Sequence, residues 1–234
     1  MESAESTPEG EPLRAPGAEG TVNRAIDSLI KYLRTRLWLQ SQWPDPELVY
    51  RQGGIYAIAS LLHQTHSTTV TREVLARFGA KVHPDCWPIG PNLTLHEYGE
   101  DFSNLEIGAF VHIGKEVFFD LTEKVIIEES VGIGMRTIVL THLILGDYPN
   151  KPLSRLYPKK RKPTVFRRGC SVGAGCVIAS GVEIGEDSSI NAGVLVDRDV
   201  PPRTIVHSSR VRDPVRLPDR FFAKLEAKAK DGES

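Results

Sequence analysis

Every sixth residue of two stretches in this chain is a large apolar side chain, and few folds can use that period. The first run is Ile107, Ile113, Phe119, Val125 and Val131; the second is Phe166, Val172, Ile178, Ile184, Ile190 and Val196. If such residues fill about a third of positions, eleven matches by chance have odds of about one in 10⁵, and free choice of phase costs only a factor of roughly 36. An α-helix repeats every 3.6 residues and a flat strand every two, so neither serves a period of six. The following residue is often glycine, as at Gly108, Gly114, Gly132, Gly173 and Gly185. The fourth residue after is often small or β-branched: Val111, Val117, Cys170, Cys176, Val182, Ser188 and Val194. Short strands joined by tight corners meet this pattern. Each hexapeptide turns one large and one smaller side chain inward, with glycine where a corner demands φ > 0. The expected class is mainly β, a parallel solenoid. Ile89-Gly90 and Leu95 share the phase of the first run although Asp101 breaks it, so a degenerate first coil starts near Val82. The phase shifts across residues 143–164, a loop thrown out of one corner and too long to be a mere connection.

The flanks read differently. Residues 1–20 are acidic and rich in Pro and Gly, the composition of a disordered tail. Residues 21–80 read as an N-terminal helical segment. Ile26, Leu29, Ile30, Leu33, Leu37 and Trp38 form one amphipathic stripe. A second helix runs from Pro46 to about His66 with a bend at Gly53-Gly54, and a third from Thr71 to Phe78 ends at Gly79. The solenoid domain takes 81–212 including the loop, and 213–234 reads as a closing helix on Phe221, Phe222 and Leu225. Lys and Arg number 29 against 30 Asp and Glu, which gives no electrostatic reason to expect nucleic acid or a membrane. Three scattered cysteines make no disulfide framework, no apolar run reaches the length of a transmembrane segment, and the acidic start is unlike a secretory signal. The cytoplasm is the expected compartment.

Over roughly residues 82–212 the motif aliphatic-Gly-x-x-small-x resembles the hexapeptide-repeat acyltransferases. Within them it is similar to the maltose, galactoside, nodulation-factor and colanic-acid type O-acetyltransferases. The resemblance implies a left-handed parallel β-helix with N-terminal helices and a C-terminal helix. It also implies a homotrimer with acetyl-CoA as co-substrate in the cleft between neighbouring subunits. Two segments carry the finer marks. Thr137-Ile-Val-Leu-Thr-His142 ends in histidine just before the loop, where the catalytic histidine of the resembled enzymes stands. Ile190-Asn-Ala-Gly-Val-Leu-Val-Asp-Arg-Asp-Val-Pro-Pro202 is similar to the closing signature of the family. Carried over, this puts Ala192 and Arg198 along the CoA site. Gly173 and Ala174 match the turn beside the pantetheine arm, and Arg212 the basic position after the signature. The asparagine that assists in several relatives has no match here; Asp120 lies nearby in register.

Acetyl transfer from a thioester to a hydroxyl needs a base, a donor for the carbonyl oxygen, and alignment. A neutral imidazole suits the first task, since its ordinary pKa lies near neutrality. His142 is the expected base, with Asp120 or a backbone carbonyl orienting the ring and a corner N–H at Gly173 or Ala174 serving the oxyanion. The alternative for His142 is an ordinary polar strand end bonded to its own loop. A zinc reading, as in the γ-class carbonic anhydrases that share this architecture, needs closely spaced histidines that His142 lacks, so no metal is expected. Cys170 and Cys176 take the small inward position, where thiols act as hydrophobes. The basic run Lys159-Lys-Arg-Lys162, with Arg167 and Arg168, suits CoA phosphates, an anionic acceptor, or plain solvation. The expected activity is acetyl-CoA-dependent O-acetyl transfer to a sugar or small hydroxylated metabolite. The alternatives are an amine acceptor, or a non-catalytic β-helix that serves as an assembly subunit.

Overall fold

The computed structural model describes residues 29–30, 43–143, 159–207, 215–216 and 219–220. The chain divides into two units, Met1–Asp45 and Pro46–Ser234, and nearly all described residues belong to the second. In that unit the six-residue period becomes a coil with three flat parallel faces. The first face stacks Lys81–Val82, Leu105–Ile107, Val125–Ile127, Thr164–Phe166 and Glu183–Ile184. The second stacks His112–Ile113, Gly132–Ile133, Ser171–Val172, Ser189–Ile190 and Thr204–Val206, with Val215–Arg216 added antiparallel at its end. The third stacks Thr94–His96, Phe118–Asp120, Ile138–Val139, Val177–Ile178 and Leu195–Val196. Strands of two or three residues cannot stand alone; each persists because its neighbours in the stack satisfy its backbone groups.

The eleven residues of the period are all buried, none more than 4% exposed. Their register, however, corrects the sequence reading. Later circuits take 18 residues, pairing Phe166 with Ile184, Val172 with Ile190 and Ile178 with Val196. The earlier circuit takes 20, pairing Ile107 with Ile127, Ile113 with Ile133 and Phe119 with Val139. The two additional residues lie at the corner after Phe119. Beyond it the large inward row continues as Ile127, Ile133 and Val139. Val125 faces Leu105 in the smaller inward row, and Val131 follows it there. Valine fits either row, so the period reads through the slip.

The glycines are also placed for another reason than expected. Positive φ values recur three residues before the large inward residues of the second and third faces and before Ile184, at Phe110, Glu116, Ser130, Arg136 and Asp187 as well as Gly169, Gly175, Gly181 and Gly193. The glycines that follow the large residues instead mark close backbone approach between circuits. A Cβ on Gly134 would sit 2.5 Å from Ala174 N, and one on Gly173 would sit 2.4 Å from Ala192 N. Gly134→Ala should therefore destabilise the coil by about 1–3 kcal/mol, the usual cost of overpacking. Denaturant unfolding checks this; an unchanged midpoint would show that the stack yields without strain.

Immediately before the coil stand the helices α1 (Pro46–Gln64) and α2 (Thr68–Arg77). Helix α1 is broken at Gly54, whose φ of 62° and ψ of −156° are open to glycine but hostile to other residues. Helix α2 starts earlier than its apolar pattern suggests, because Ser67 accepts from Val70 N at 3.4 Å and caps it. It ends before Gly79, at φ 104°. Ile58, Leu62 and Leu75 are fully buried, as are Ile89, Leu93 and Phe102 in the irregular first circuit. Helix α1 contacts Thr94–His96 and α2 contacts Lys81–Val82, so together they cover the starting end of the coil. The expected tail 1–20, most of the first helix and most of the segment 213–234 lie outside the described residues, as do positions 144–158 of the loop. Within 213–234, Val215–Arg216 is a strand where the closing helix was expected, because it pairs with Thr204–Val206. Among the described residues no helix is long and apolar enough to cross a membrane.

Candidate active site

The enlarged corner after Phe119 is where polar side chains converge. Asp120 ends its strand with its side chain only 1% exposed, and its carboxylate gathers five donors. Oδ1 accepts from Thr122 N at 3.1 Å and Thr122 Oγ1 at 2.8 Å. Oδ2 accepts from Thr141 N at 2.7 Å, His142 N at 2.9 Å and His142 Nδ1 at 2.7 Å. The corner is braced further by Thr141 Oγ1, which donates to Asp120 O at 3.1 Å and accepts from Glu123 N at 3.0 Å. Burial pushes the Asp120 carboxyl up, but the donors from Thr141 and Thr122 outweigh it and hold the group below the ordinary carboxylate range. Asp120 is thus an ionised, acceptor-only group when the protein is near neutral pH.

That fixes the imidazole. Facing a carboxylate, His142 Nδ1 must carry the proton. Thr122 Oγ1, 2.8 Å from the same Nδ1, has its own proton directed at Asp120 and so accepts as well. The tautomer follows from this network. Among the described residues Nε2 meets no hydrogen-bond partner, on a side chain 23% exposed. Asp120 thus holds the ring, and an imidazole backed by a carboxylate in this way can serve as a base, since the carboxylate stabilises an imidazolium formed at Nε2. Beyond His142 the chain leaves the coil as an antiparallel ribbon, His142–Leu143 against Lys160–Arg161, with Lys162 N donating to Thr141 O at 3.0 Å.

The other expected site residues do not all gather here. Gly173, Ala174 and Ala192 stack on the corner between the second and third faces, a full face away from His142 within one chain. The Gly173 N–H donates to Ile190 O at 2.8 Å inside the coil, so it is not free for an oxyanion, contrary to expectation. Arg198 lies on the same corner as His142 but two circuits on, 85% exposed and paired with Asp197 at 3.0 Å. Arg212 lies outside the described residues. Arg167 is held by Glu128 at 2.7 Å and Glu183 at 2.8 Å, and Arg168 by Glu186, so these two brace the first face instead of offering free cations.

Cys170 and Cys176 are buried, and burial pushes the Cys170 thiol up to about 12, which removes it as a nucleophile at neutral pH. His83 accepts from Asp85 N at 3.1 Å in a tight turn. Among the described residues no three His, Cys, Asp or Glu side chains form a metal-binding group. The sequence reading missed Thr122 and Thr141, and its one available signal was the two-residue slip of the period at their corner.

The family of bacterial transferase hexapeptide repeats (six repeats) matches residues 163–198. In sequence the chain is 31% identical over 137 residues to a serine acetyltransferase of Mycobacterium tuberculosis, covering 57% of this chain and 56% of that protein. The chain therefore spans about half the length of that curated relative. Among solved structures, a hexapeptide-repeat containing acetyltransferase from Vibrio cholerae is 25% identical with a TM-score of 0.54, over 69% of this chain and 86% of that one. A galactoside acetyltransferase in complex with coenzyme A aligns with a TM-score of 0.57 at 21% identity, over 75% and 83% of the two chains, a likeness of fold.

Proposed function

We propose that this chain, which belongs to the hexapeptide-repeat acyltransferase family, is an acetyl-CoA-dependent O-acetyltransferase that uses His142 as its general base. The observation that carries the reading is the 2.7 Å contact between His142 Nδ1 and the buried Asp120 carboxylate. A scaffold has no need of an ionised, fully hydrogen-bonded carboxylate behind a partly exposed imidazole; a base does. The acceptor is a hydroxyl of a sugar or small hydroxylated metabolite. His142 Nε2 takes its proton as the oxygen attacks the thioester carbon. The tetrahedral intermediate then collapses, the carbon–sulfur bond breaks, and the imidazolium returns the proton to the leaving thiolate. Transfer is direct, in a ternary complex, with no acetyl-enzyme.

The coil is left-handed in this reading, and the working unit is a homotrimer. Supporting the assembly, the outward row of the third face is apolar from Phe118 onward, through Ile138, Val177 and Leu195, with Leu195 65% and Ile138 38% exposed. A neighbouring copy covers this row. It brings the Gly173, Ala174 and Ala192 corner of one subunit towards His142 of the next, which a single chain keeps a face apart. Acetyl-CoA then lies in the cleft between copies, with Ala174 N–H turned to the oxyanion and Arg198 further along the CoA site. Arg212 is assigned to the same cofactor. The protein works in the cytoplasm, the compartment of its co-substrate, and uses no metal.

The test is release of free CoA thiol from acetyl-CoA against a panel of sugars, hydroxy acids and amines. Acceptor-dependent release with hydroxyl compounds supports the reading. Release with amines alone would move the activity to N-acetylation, and no acceptor-dependent release would leave the coil as a scaffold.

A further inference from the structure

The ribbon at the start of the loop sets a cation beside the base. His142 and Arg161 are directly opposite in the antiparallel pair. Lys162 N bonds Thr141 O, one position along, while His142 N turns away to Asp120. His142 and Arg161 are therefore a non-hydrogen-bonded pair, the kind in which side chains share one face of the ribbon with Cβ atoms about 4.5–5.5 Å apart. The Nδ1 edge of the ring is held by Asp120, which leaves Nε2 as the ring nitrogen not engaged with that carboxylate. Arg161 is exposed, and its guanidinium has no ion pair or hydrogen bond among the described residues. Elsewhere on the coil Arg136, Arg167, Arg168 and Arg198 each hold a carboxylate. Among the coil arginines whose side chains are described, Arg161 is the exception, and it is the one next to His142.

We infer that Arg161 binds an anionic group on the acceptor, so that the substrate is a hydroxyl compound carrying a carboxylate or phosphate close to the reacting oxygen. This rests on His142 being the base. CoA is a poor occupant for Arg161. With the thioester carbon at Nε2, the long pantetheine arm keeps the CoA phosphates far from a residue one strand spacing from His142. An acceptor whose hydroxyl meets Nε2 has only a short reach to the guanidinium. The planar, fork-shaped donor set of arginine suits a carboxylate or phosphate there.

The experiment compares matched acceptors with the full chain and acetyl-CoA: serine against serinamide, glycerate against glycerol, and glucose 6-phosphate against glucose. The anionic member of at least one pair should be preferred by about 10- to 100-fold in kcat/KM, the range of a hydrogen bond to a charged group. The carboxylate and phosphate pairs say which anion it is. Arg161→Gln should erase that preference and leave the KM for acetyl-CoA unchanged, and Arg161→Lys should retain part of it. Equal or better use of the neutral members overturns the inference while leaving the base reading intact. So does an Arg161→Gln variant that raises the KM for acetyl-CoA and keeps the acceptor ratio. Transfer to no member of any pair overturns both together.

Discussion

On the proposed mechanism, replacing His142 with alanine is expected to lower kcat by about 10²- to 10⁴-fold, the range attributed to a positioned acid–base group, and to leave the protein folded. The second half of that result follows from the hydrogen bonds. The His142 side chain supplies only one of the five donors on Asp120; Thr141 N, His142 N and both groups of Thr122 remain in the variant. The side chain is 23% exposed, so its removal opens no closed cavity. The loss of stability is that of one hydrogen bond to a charged group, about 1.5–3 kcal/mol at most. The KM for acetyl-CoA stays near its original value because the ring acts on the acceptor. Initial rates with a circular dichroism melt of the same samples check both halves. A folded variant with full turnover would place the base elsewhere.

Asp120→Asn has the second large effect, and it acts on activity and stability together. An asparagine amide has nearly the shape of the carboxylate but offers one acceptor oxygen and a donating NH₂ group. Five donors converge on this site, so one edge of the amide must meet N–H or O–H groups that it cannot satisfy. If the NH₂ faces His142, it selects the tautomer with Nδ1 bare and Nε2 protonated, which cannot act as the base. The expected loss in kcat is again about 10²- to 10⁴-fold, with the acetyl-CoA KM retained. Stability falls by about 2–4 kcal/mol, since one or two buried donors lose their partner at about 1–3 kcal/mol each. The sign of the pH dependence is fixed as well. The pKa of Asp120 is held below its unfolded value, so the contribution is fully present above the ordinary carboxylate range and is lost as pH falls through the lowered pKa. The stability gap between native protein and variant therefore closes on acidification. Urea midpoints at several pH values measure it; a gap constant with pH would mean that the carboxylate charge is not what the site uses.

Much of this was legible in the sequence because one inward residue in every six is a strong demand. Ile107, Ile113 and Phe119 had to be buried once the chain was a coil. The loop after His142 was marked by the loss of phase. The bend at Gly53-Gly54 and the stop at Gly79 were legible because each needs a backbone conformation that other residues resist. What escaped had a physical reason too. Val125 and Val131 suit both inward rows, so a two-residue slip between Phe119 and Ile127 left the apolar pattern intact. Glycine tolerates a tight approach as well as it tolerates positive φ, and the pattern alone does not separate the two causes; Arg136 and Glu116 take the positive φ while Gly134 takes the close contact. Thr122 looks like any loop threonine until the slip is recognised as an enlarged corner. In sequence Asp120 carries only its register, since five donors converging from Thr122, Thr141 and His142 are a property of the folded corner and of no local motif. The pairing of Arg167 and Arg168 with glutamates on adjacent circuits was equally hidden, because those partners are distant in sequence.

The central claim is that His142, held by Asp120, is the group that takes the acceptor proton. The pH dependence of kcat/KM, measured for the native protein and for the residual activity of His142→Ala, tests it most directly. The account predicts a rate that falls on the acid side as one group is protonated, and a residual rate in the variant from which that limb has gone. An acid limb that survives the replacement of His142 would assign the base to another residue and contradict the account.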